Sequence, residues 1–315
     1  MGEGKRSISL MLMVTLGCNS ECSHCCFACD QQKLALRLTE REMIYYIEQV
    51  YSSNYNVDSV IFSGGEATLY AKSIYLPMTI AHHFGLHIDL RTNAHWAKSE
   101  EVACSVLQEY QDRGLQQLGL SYDNYHNAIP VENIRNALQA ARKLGIKTYL
   151  DWIGLESYEW VLEYLQIERC ELRAVIPPLR IGRAKELSDE HFKYQSLDSF
   201  RDSPSCKDTN ALLTIFPGGY ASLHPCCWVN PALIRKIGNN GWLKKLDKEM
   251  KNSPMVNYIS NYGIGGLIQK AEQEQPHLLK REYSYQCEAC YDLLGKLFPE
   301  EVEEMPWYLK ELESV

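Results

Sequence analysis

The stretch SISLMLMVTLGCNSECSHC, residues 7–25, passes without a break from an apolar run into three cysteines. Residues 7–16 read as a continuous apolar run of strand length, as expected of a strand covered on both faces of a parallel sheet. Cys18, Cys22 and Cys25 then follow at the spacing Cys-x3-Cys-x2-Cys. Three thiolates on one short loop hold three irons of a cubane and leave the fourth iron open to bind a further molecule. Zinc is the competing metal, but it usually takes four protein ligands in two pairs. Here the extra donor is His24, which sits too close along the loop to complete such a site. A rival triad, Cys22, Cys26 and Cys29, has the same spacing. Position favours the first triad, because the strand feeds directly onto it.

Outward from this loop the pattern alternates. Thr39 with Glu42 forms a capping box opening a helix with Ile44, Ile47 and Val50. Val57 to Phe62 reads as a strand ending in Ser63-Gly64-Gly65-Glu66, and Leu86 to Leu90 as another ending in Arg91-Thr92-Asn93. A helix from about Ser99 to Gly114 precedes a strand at Gln117 to Leu120. Pro130 suits the first turn of a helix that Gly145 stops. A strand at Ile146 to Trp152, a helix near Tyr158 to Leu165 and a strand at Leu172 to Ile176 complete the series. Such alternation implies a parallel sheet with right-handed crossovers, whose active face lies just after the strands. The cysteines, Gly64-Gly65-Glu66, Thr92-Asn93, and Ser121 with Asp123 all stand there. After Pro177-Pro178 the alternation stops, and a smaller irregular domain is expected.

Composition narrows the class. With 32 Lys and Arg against 40 Asp and Glu the net charge is −8, which argues against sequence-independent nucleic-acid binding. A hydrophobic share of 45% is that of a globular protein. Lys5, Arg6 and the apolar run before Cys18 imitate a lipoprotein signal. The run is short for a signal, too short to span a membrane, and cleavage there would remove Cys18 from its loop. The 12 cysteines are clustered rather than scattered, which reads as metal binding in a reducing, cytoplasmic compartment.

The motif Cys18-Asn19-x2-Cys22-x-His24-Cys25, with Gly64-Gly65-Glu66 after the second strand, resembles the radical S-adenosylmethionine superfamily. The resemblance covers residues 7 to about 185. It implies a partial (βα)6 TIM-like barrel over residues 1–185, with a 4Fe–4S cluster on Cys18, Cys22 and Cys25. In that family the open iron chelates the methionine moiety of S-adenosylmethionine, and one electron splits the sulfonium to give a 5′-deoxyadenosyl radical. Gly64, Gly65 and Glu66 then match the segment holding the methionine amino group, and Thr92-Asn93 a stretch lining the cofactor pocket. Ser121 and Asp123 match positions near the ribose or carboxylate, and Arg183, in Arg180-Ile181-Gly182-Arg183-Ala184, a carboxylate partner. Two departures stand out. His24 replaces the usual aromatic residue before the third cysteine, and Ala67 replaces a frequent proline.

A second set, Cys206, Cys226, Cys227, Cys287 and Cys290, lies in the last third. Leu212 to Phe216, Pro217-Gly218-Gly219-Tyr220 and the stretch to Leu223 read as a hairpin. This resembles the twitch form of the SPASM-type auxiliary-cluster domain of peptide-modifying enzymes, over residues 186–315. It implies an auxiliary 4Fe–4S cluster on Cys206, Cys226, Cys287 and Cys290. Residues 220–225 separate Gly219 from Cys226, more than is usual there, and a zinc knuckle on the same cysteines is the alternative. Adjacent Cys226 and Cys227 should diverge, leaving Cys227 unliganded.

The resemblance implies an enzyme acting on a precursor peptide and served by a reductant such as flavodoxin or ferredoxin, with no nucleic-acid or membrane partner. The chain starts almost at its first strand, so a usual N-terminal leader-recognition domain is not expected. Peptide epimerisation is the favoured activity, with Cys227 as the catalytic hydrogen donor. Thioether formation of the sactipeptide type is the alternative within the family. A small-molecule radical enzyme is the other rival, and a non-catalytic zinc-binding interaction protein is the competitor from another class.

Overall fold

The computed structural model describes residues 7–203, 211–223, 230–238 and 240–301. These fall into two compact units. The first takes residues 7–23, 28–176 and 216–218, and the second 24–27, 177–203, 211–215, 219–223, 230–238 and 240–301.

The first unit is an α/β alternation. Its strands are β1 Ser7–Thr15, β2 Asn56–Gly64, β3 His87–Thr92, β4 Leu115–Ser121, β5 Lys147–Ile153 and β6 Leu172–Ile176. Between them run α1 Glu40–Tyr51, α2 Ala71–His83, α3 Glu100–Gln111, α4 Val131–Leu144 and α5 Tyr158–Leu165. The strands pair in parallel in chain order from β1 to β6, the expected partial barrel without closure of β6 onto β1.

The helix ends follow local chemistry. Thr39 and Glu42 make the reciprocal capping box of α1, and Ser99 caps α3 through the N–H of Val102. Gly145 ends α4 in the left-handed conformation at φ 68°. Pro130 stands one step earlier than expected, at the N-cap of α4 rather than inside its first turn. Helix α2 has no counterpart in the sequence reading. It lacks a side-chain cap and contains Pro77, so it offers few of the usual signals.

Strand alternation separates two faces of this sheet. Leu10, Leu12, Val60, Phe62, Ile88, Leu90, Leu118, Leu150 and Trp152 are fully buried on the face packed by the crossover helices. Each contributes roughly 1.5–3 kcal/mol of burial. The opposite face carries Ser9, Ser59, His87, Asp89, Arg91, Gln117, Tyr149 and Asp151 at the alternate positions. Ser9 and Ser59 are hydrogen-bonded there at 2.9 Å, as are His87 and Gln117 at 3.1 Å.

The second unit is more regular than the expected irregular domain. It contains α6 Trp242–Asn252, α7 Pro254–Glu274 and α8 Gln286–Leu297, packed in sequence. Ser253 caps α7, with Pro254 in its first turn. Gly263 kinks α7 at φ 59°, and a Cβ on Gly265 would lie 2.0 Å from the Arg201 carbonyl. These two glycines therefore serve a bend and a close packing inside a helix. Strand β7 Gln195–Ser196 pairs antiparallel with β11 Glu282–Tyr283. Strands β8 Ala211–Phe216 and β9 Tyr220–Leu223 flank the anticipated glycine turn, and β10 Arg235–Lys236 pairs with β9. Among the described residues no helix is long and apolar enough to cross a membrane.

Candidate functional site

The loop after β1 is tied down where the cysteines begin. Thr15 Oγ1 accepts the Gly17 N–H at 2.8 Å, and the Cys18 N–H donates to the Asp30 carbonyl at 2.9 Å. Asp30 also caps the short turn Gln31–Lys33 through its carboxylate. Cys18, Cys22 and Cys29 are buried, while Cys25 and Cys26 are half-buried.

The sulfur of Cys18 is aimed at by donors. The Ser20 N–H lies 3.4 Å from it, and the Asn93 side-chain amide 4.0 Å. The Cys18 S–H itself donates to Asn19 Oδ1 at 3.9 Å, and loss of that proton on metal binding would leave the two donors facing a thiolate. Asn93 Nδ2 also donates to Asn19 Oδ1 at 2.9 Å, so the loop after β3 is stitched to the cysteine loop.

Gly64 and Gly65 serve this same seam. Gly64 sits at φ 144°, and a Cβ there would lie 2.3 Å from the Thr15 carbonyl. A Cβ on Gly65 would lie 2.2 Å from the Gly17 carbonyl. The two loops are in backbone contact, through Gly65 N–H to Thr15 O at 2.7 Å and Glu66 N–H to Gly17 O at 3.0 Å. No side chain fits between them.

Glu66 is 1% exposed, and its carboxylate is occupied by protein donors. Oε1 accepts from the Thr68 N–H at 3.0 Å, the Thr68 hydroxyl, and the Thr92 hydroxyl at 2.9 Å. Oε2 accepts from the Asn93 N–H at 2.8 Å. Thr92 Oγ1 accepts in turn from Ala94 N–H and Trp96 Nε1. Burial holds the nearby His95 imidazole below its ordinary range.

After β4, Ser121 is exposed and stands opposite Asp151 in register. Asp123 is buried, and its Oδ1 accepts from the Tyr125 N–H at 2.8 Å and pairs with His126 Nδ1 at 2.9 Å. Burial alone would push the His126 imidazole down. The Asp123 carboxylate and then the Cys22 thiol outweigh it and hold His126 well above the ordinary histidine range.

In the second unit the Arg183 N–H donates to the Cys25 carbonyl at 3.0 Å. Gly182 sits at φ 55°, where a Cβ would meet the carbonyls of Cys25 and Cys26 at 2.5 and 2.4 Å. Gly182, which the sequence reading passed over in favour of Arg183, thus packs its backbone directly on the cysteine loop. Cys287 and Cys290 lie one turn apart on α8, and Asn230 Nδ2 donates to the Cys290 carbonyl at 3.3 Å. Cys206, Cys226 and Cys227 lie outside the described residues.

Comparison with known proteins agrees with these motifs. The family model described as the radical SAM superfamily matches residues 12–166. The YydG protein of Bacillus subtilis (strain 168), whose name assigns it to peptide biosynthesis, is 28% identical over 224 residues. The match covers 69% of this chain and 67% of that protein. The structure of native anSMEcpe with bound AdoMet and Kp18Cys peptide shares the fold, with a TM-score of 0.55 at 13% identity. That match covers 94% of this chain and 98% of anSMEcpe. Residues 12–166 therefore carry a radical SAM domain, and that superfamily uses a 4Fe–4S cluster and S-adenosylmethionine.

Proposed function

We propose that this protein modifies a ribosomally made peptide by inverting the configuration at one or more residues. The similarity to YydG over 224 residues carries the peptide part of this reading. The inversion part rests on one cysteine, Cys227, left over when the other four cysteines of the second set are assigned to the auxiliary cluster.

In this reading residues 1–185 are the catalytic domain and residues 186–315 the auxiliary-cluster domain. Cys18, Cys22 and Cys25 ligate the 4Fe–4S cluster that binds S-adenosylmethionine, and Cys206, Cys226, Cys287 and Cys290 ligate the auxiliary cluster. Gly64, Gly65, Glu66, Asn93, Ser121, Asp123 and Arg183 belong to the cofactor pocket. Within it Glu66 braces the loop of Asn93, and Asn93 and the Ser20 N–H steady the Cys18 thiolate. When bound, cluster and cofactor together supply a carbon radical that takes hydrogen from the substrate Cα. Cys227 holds the hydrogen that returns to the opposite face. Work of this kind needs a reducing, cytoplasmic setting and an electron donor such as flavodoxin or ferredoxin.

The test is the mass and chirality of the peptide encoded beside this protein after anaerobic reaction in heavy water. One deuterium gained at each inverted residue supports the proposal. A product lighter by two hydrogens with a new sulfur crosslink overturns inversion in favour of thioether formation.

A further inference from the structure

The sheet face opposite the crossover helices of the first unit holds a polar network that the cysteine chemistry does not use. Tyr149 on β5 reaches across β4 to β3, where its hydroxyl donates to Asp89 Oδ2 at 2.9 Å and accepts from Arg91 Nε at 3.0 Å. The residue it crosses is Gly119, which pairs with Tyr149 in register. A Cβ there would lie 2.4 Å from the Tyr149 hydroxyl, so the glycine leaves the passage open.

The chain of bonds fixes a direction. Because the Tyr149 proton points to Asp89, its lone pair faces Arg91 and orients the guanidinium. Among the described residues the two terminal nitrogens of Arg91 have no acceptor, although the residue is half-buried. Asp89 is 7% exposed, and its second carboxylate oxygen, Oδ1, has no partner. A buried carboxylate left half-satisfied is costly and calls for a compensating role. Orienting Tyr149, and through it Arg91, is such a role.

Charge decides what Arg91 can take. The neighbouring Arg173 is already paired with Asp151, through Nε to Oδ1 at 2.7 Å and a second bond from Nη2 to Oδ2. Its guanidinium lies 4.1 Å from the centre of the Tyr149 ring. Arg91 itself is joined to Asp89 through the Tyr149 hydroxyl. The two cations therefore each have a carboxylate close by, and a further anion gains little there. A neutral oxygen acceptor meets no such opposition.

We propose that Arg91 binds a main-chain amide carbonyl of the substrate through its terminal nitrogens, and that Tyr149 and Asp89 are positioning residues for it. This rests on the reading of the substrate as a peptide. Arg91 is the residue directly before Thr92-Asn93, so the subsite adjoins the loop that reaches Cys18.

The test uses the full-length, iron-loaded protein and N-acetylglycine N-methylamide as a one-residue peptide probe, with acetate as the anionic comparator. Dissociation constants come from saturation-transfer NMR on wild type, Arg91→Met and Tyr149→Phe. The expected result is about tenfold weaker amide binding in Arg91→Met and a smaller loss in Tyr149→Phe, with acetate binding wild type less well than the amide. Tyr149→Phe removes only a hydroxyl and stands as the readout if Arg91→Met does not fold. No amide binding by wild type, equal affinity in both variants, or tighter binding of acetate overturns the subsite. If the probe binds through Arg91 but no peptide is ever modified, the subsite stands and the peptide reading falls. If Arg91→Met modifies the peptide with unchanged KM, the reading stands and the subsite falls.

Discussion

The carboxylate of Glu66 accepts the main-chain N–H of Asn93 at 2.8 Å, joining the loop after β2 to the loop after β3. The other Glu66 oxygen is taken by Thr68 and Thr92. Asn93 passes the connection on to Asn19 and Cys18. Glu66→Gln keeps the acceptor at one oxygen and places an amide donor opposite another donor at the other. A buried N–H or hydroxyl then loses its acceptor, at a cost of about 1–3 kcal/mol. We expect a lower denaturation midpoint and faster loss of iron from the reconstituted protein, before any effect on cofactor affinity. A variant with normal iron retention and weakened S-adenosylmethionine binding by calorimetry would show that Glu66 acts on the cofactor instead.

Gly65→Ala tests the seam itself. The added methyl would lie 2.2 Å from the Gly17 carbonyl, one residue before Cys18. Backbone on both sides leaves nothing flexible to yield, so the loops must part. The expected outcome is loss of most of the iron bound at the first cysteine cluster, read by iron content and absorbance. Gly238→Ala is the control, a glycine with open space around it and no left-handed φ. Full iron loading in Gly65→Ala would mean that the loops separate easily.

Much of this arrangement could be read from the residues, and the misses have physical causes. The strand–helix alternation, the Thr39–Glu42 box and Gly145 acted where local chemistry predicts. Helix α2 escaped because it has neither a side-chain cap nor a clean apolar stripe, and Pro77 argues against it locally. Helix α7 of the second unit escaped because Gly263 and Gly265 argue against a helix until their packing is seen. Glycines 64 and 65 stand out in the sequence as a motif, but that their Cβ positions would meet the backbone of Thr15 and Gly17 is seen only in the fold. The Arg91–Tyr149–Asp89 network left one trace, the strict alternation His87-Ile88-Asp89-Leu90-Arg91, which announces a polar second face. Its partners come from β5 and could not be paired without the sheet.

The ligand triad separates by substitution. Cys18→Ala, Cys22→Ala and Cys25→Ala should each abolish reductive cleavage of S-adenosylmethionine and remove about four irons from the loaded protein. Cys26→Ala and Cys29→Ala should retain both, with Cys29→Ala losing stability because that thiol is buried. Loss of iron in Cys26→Ala and Cys29→Ala, with retention in Cys18→Ala, selects the rival triad. Zinc without iron after anaerobic purification excludes both.

Asp89→Asn should report its buried charge through pH. Burial raises the Asp89 carboxyl above its ordinary 3.8. A group raised in the folded state stabilises the fold at pH below its unfolded value, and that contribution is lost as pH rises through the folded value. Asparagine does not titrate. The stability of Asp89→Asn relative to wild type should therefore rise with pH, from just below 3.8 until the raised value is passed, and then level off. Urea midpoints across that range give the slope, and a difference that shrinks with rising pH would contradict the buried, half-satisfied carboxylate.

Cys227→Ala is the most exposed prediction. A radical at Cα is planar, so its configuration is set by the face that receives the new hydrogen. A thiol on the face opposite the site of abstraction inverts the centre, and its exchangeable hydrogen carries label from solvent. The variant should still form 5′-deoxyadenosine and consume peptide, with about one deoxyadenosine per abstraction if the cofactor is not regenerated. It should yield no inverted product, so chiral amino-acid analysis and the deuterium count both return to background. Restoration by Cys227→Ser is not expected, because an O–H bond is too strong to give its hydrogen to a stabilised Cα radical. If Cys226→Ala shows this phenotype instead, the mechanism holds with the two adjacent roles exchanged. If inversion persists in both variants, the hydrogen comes from another donor and the assignment fails.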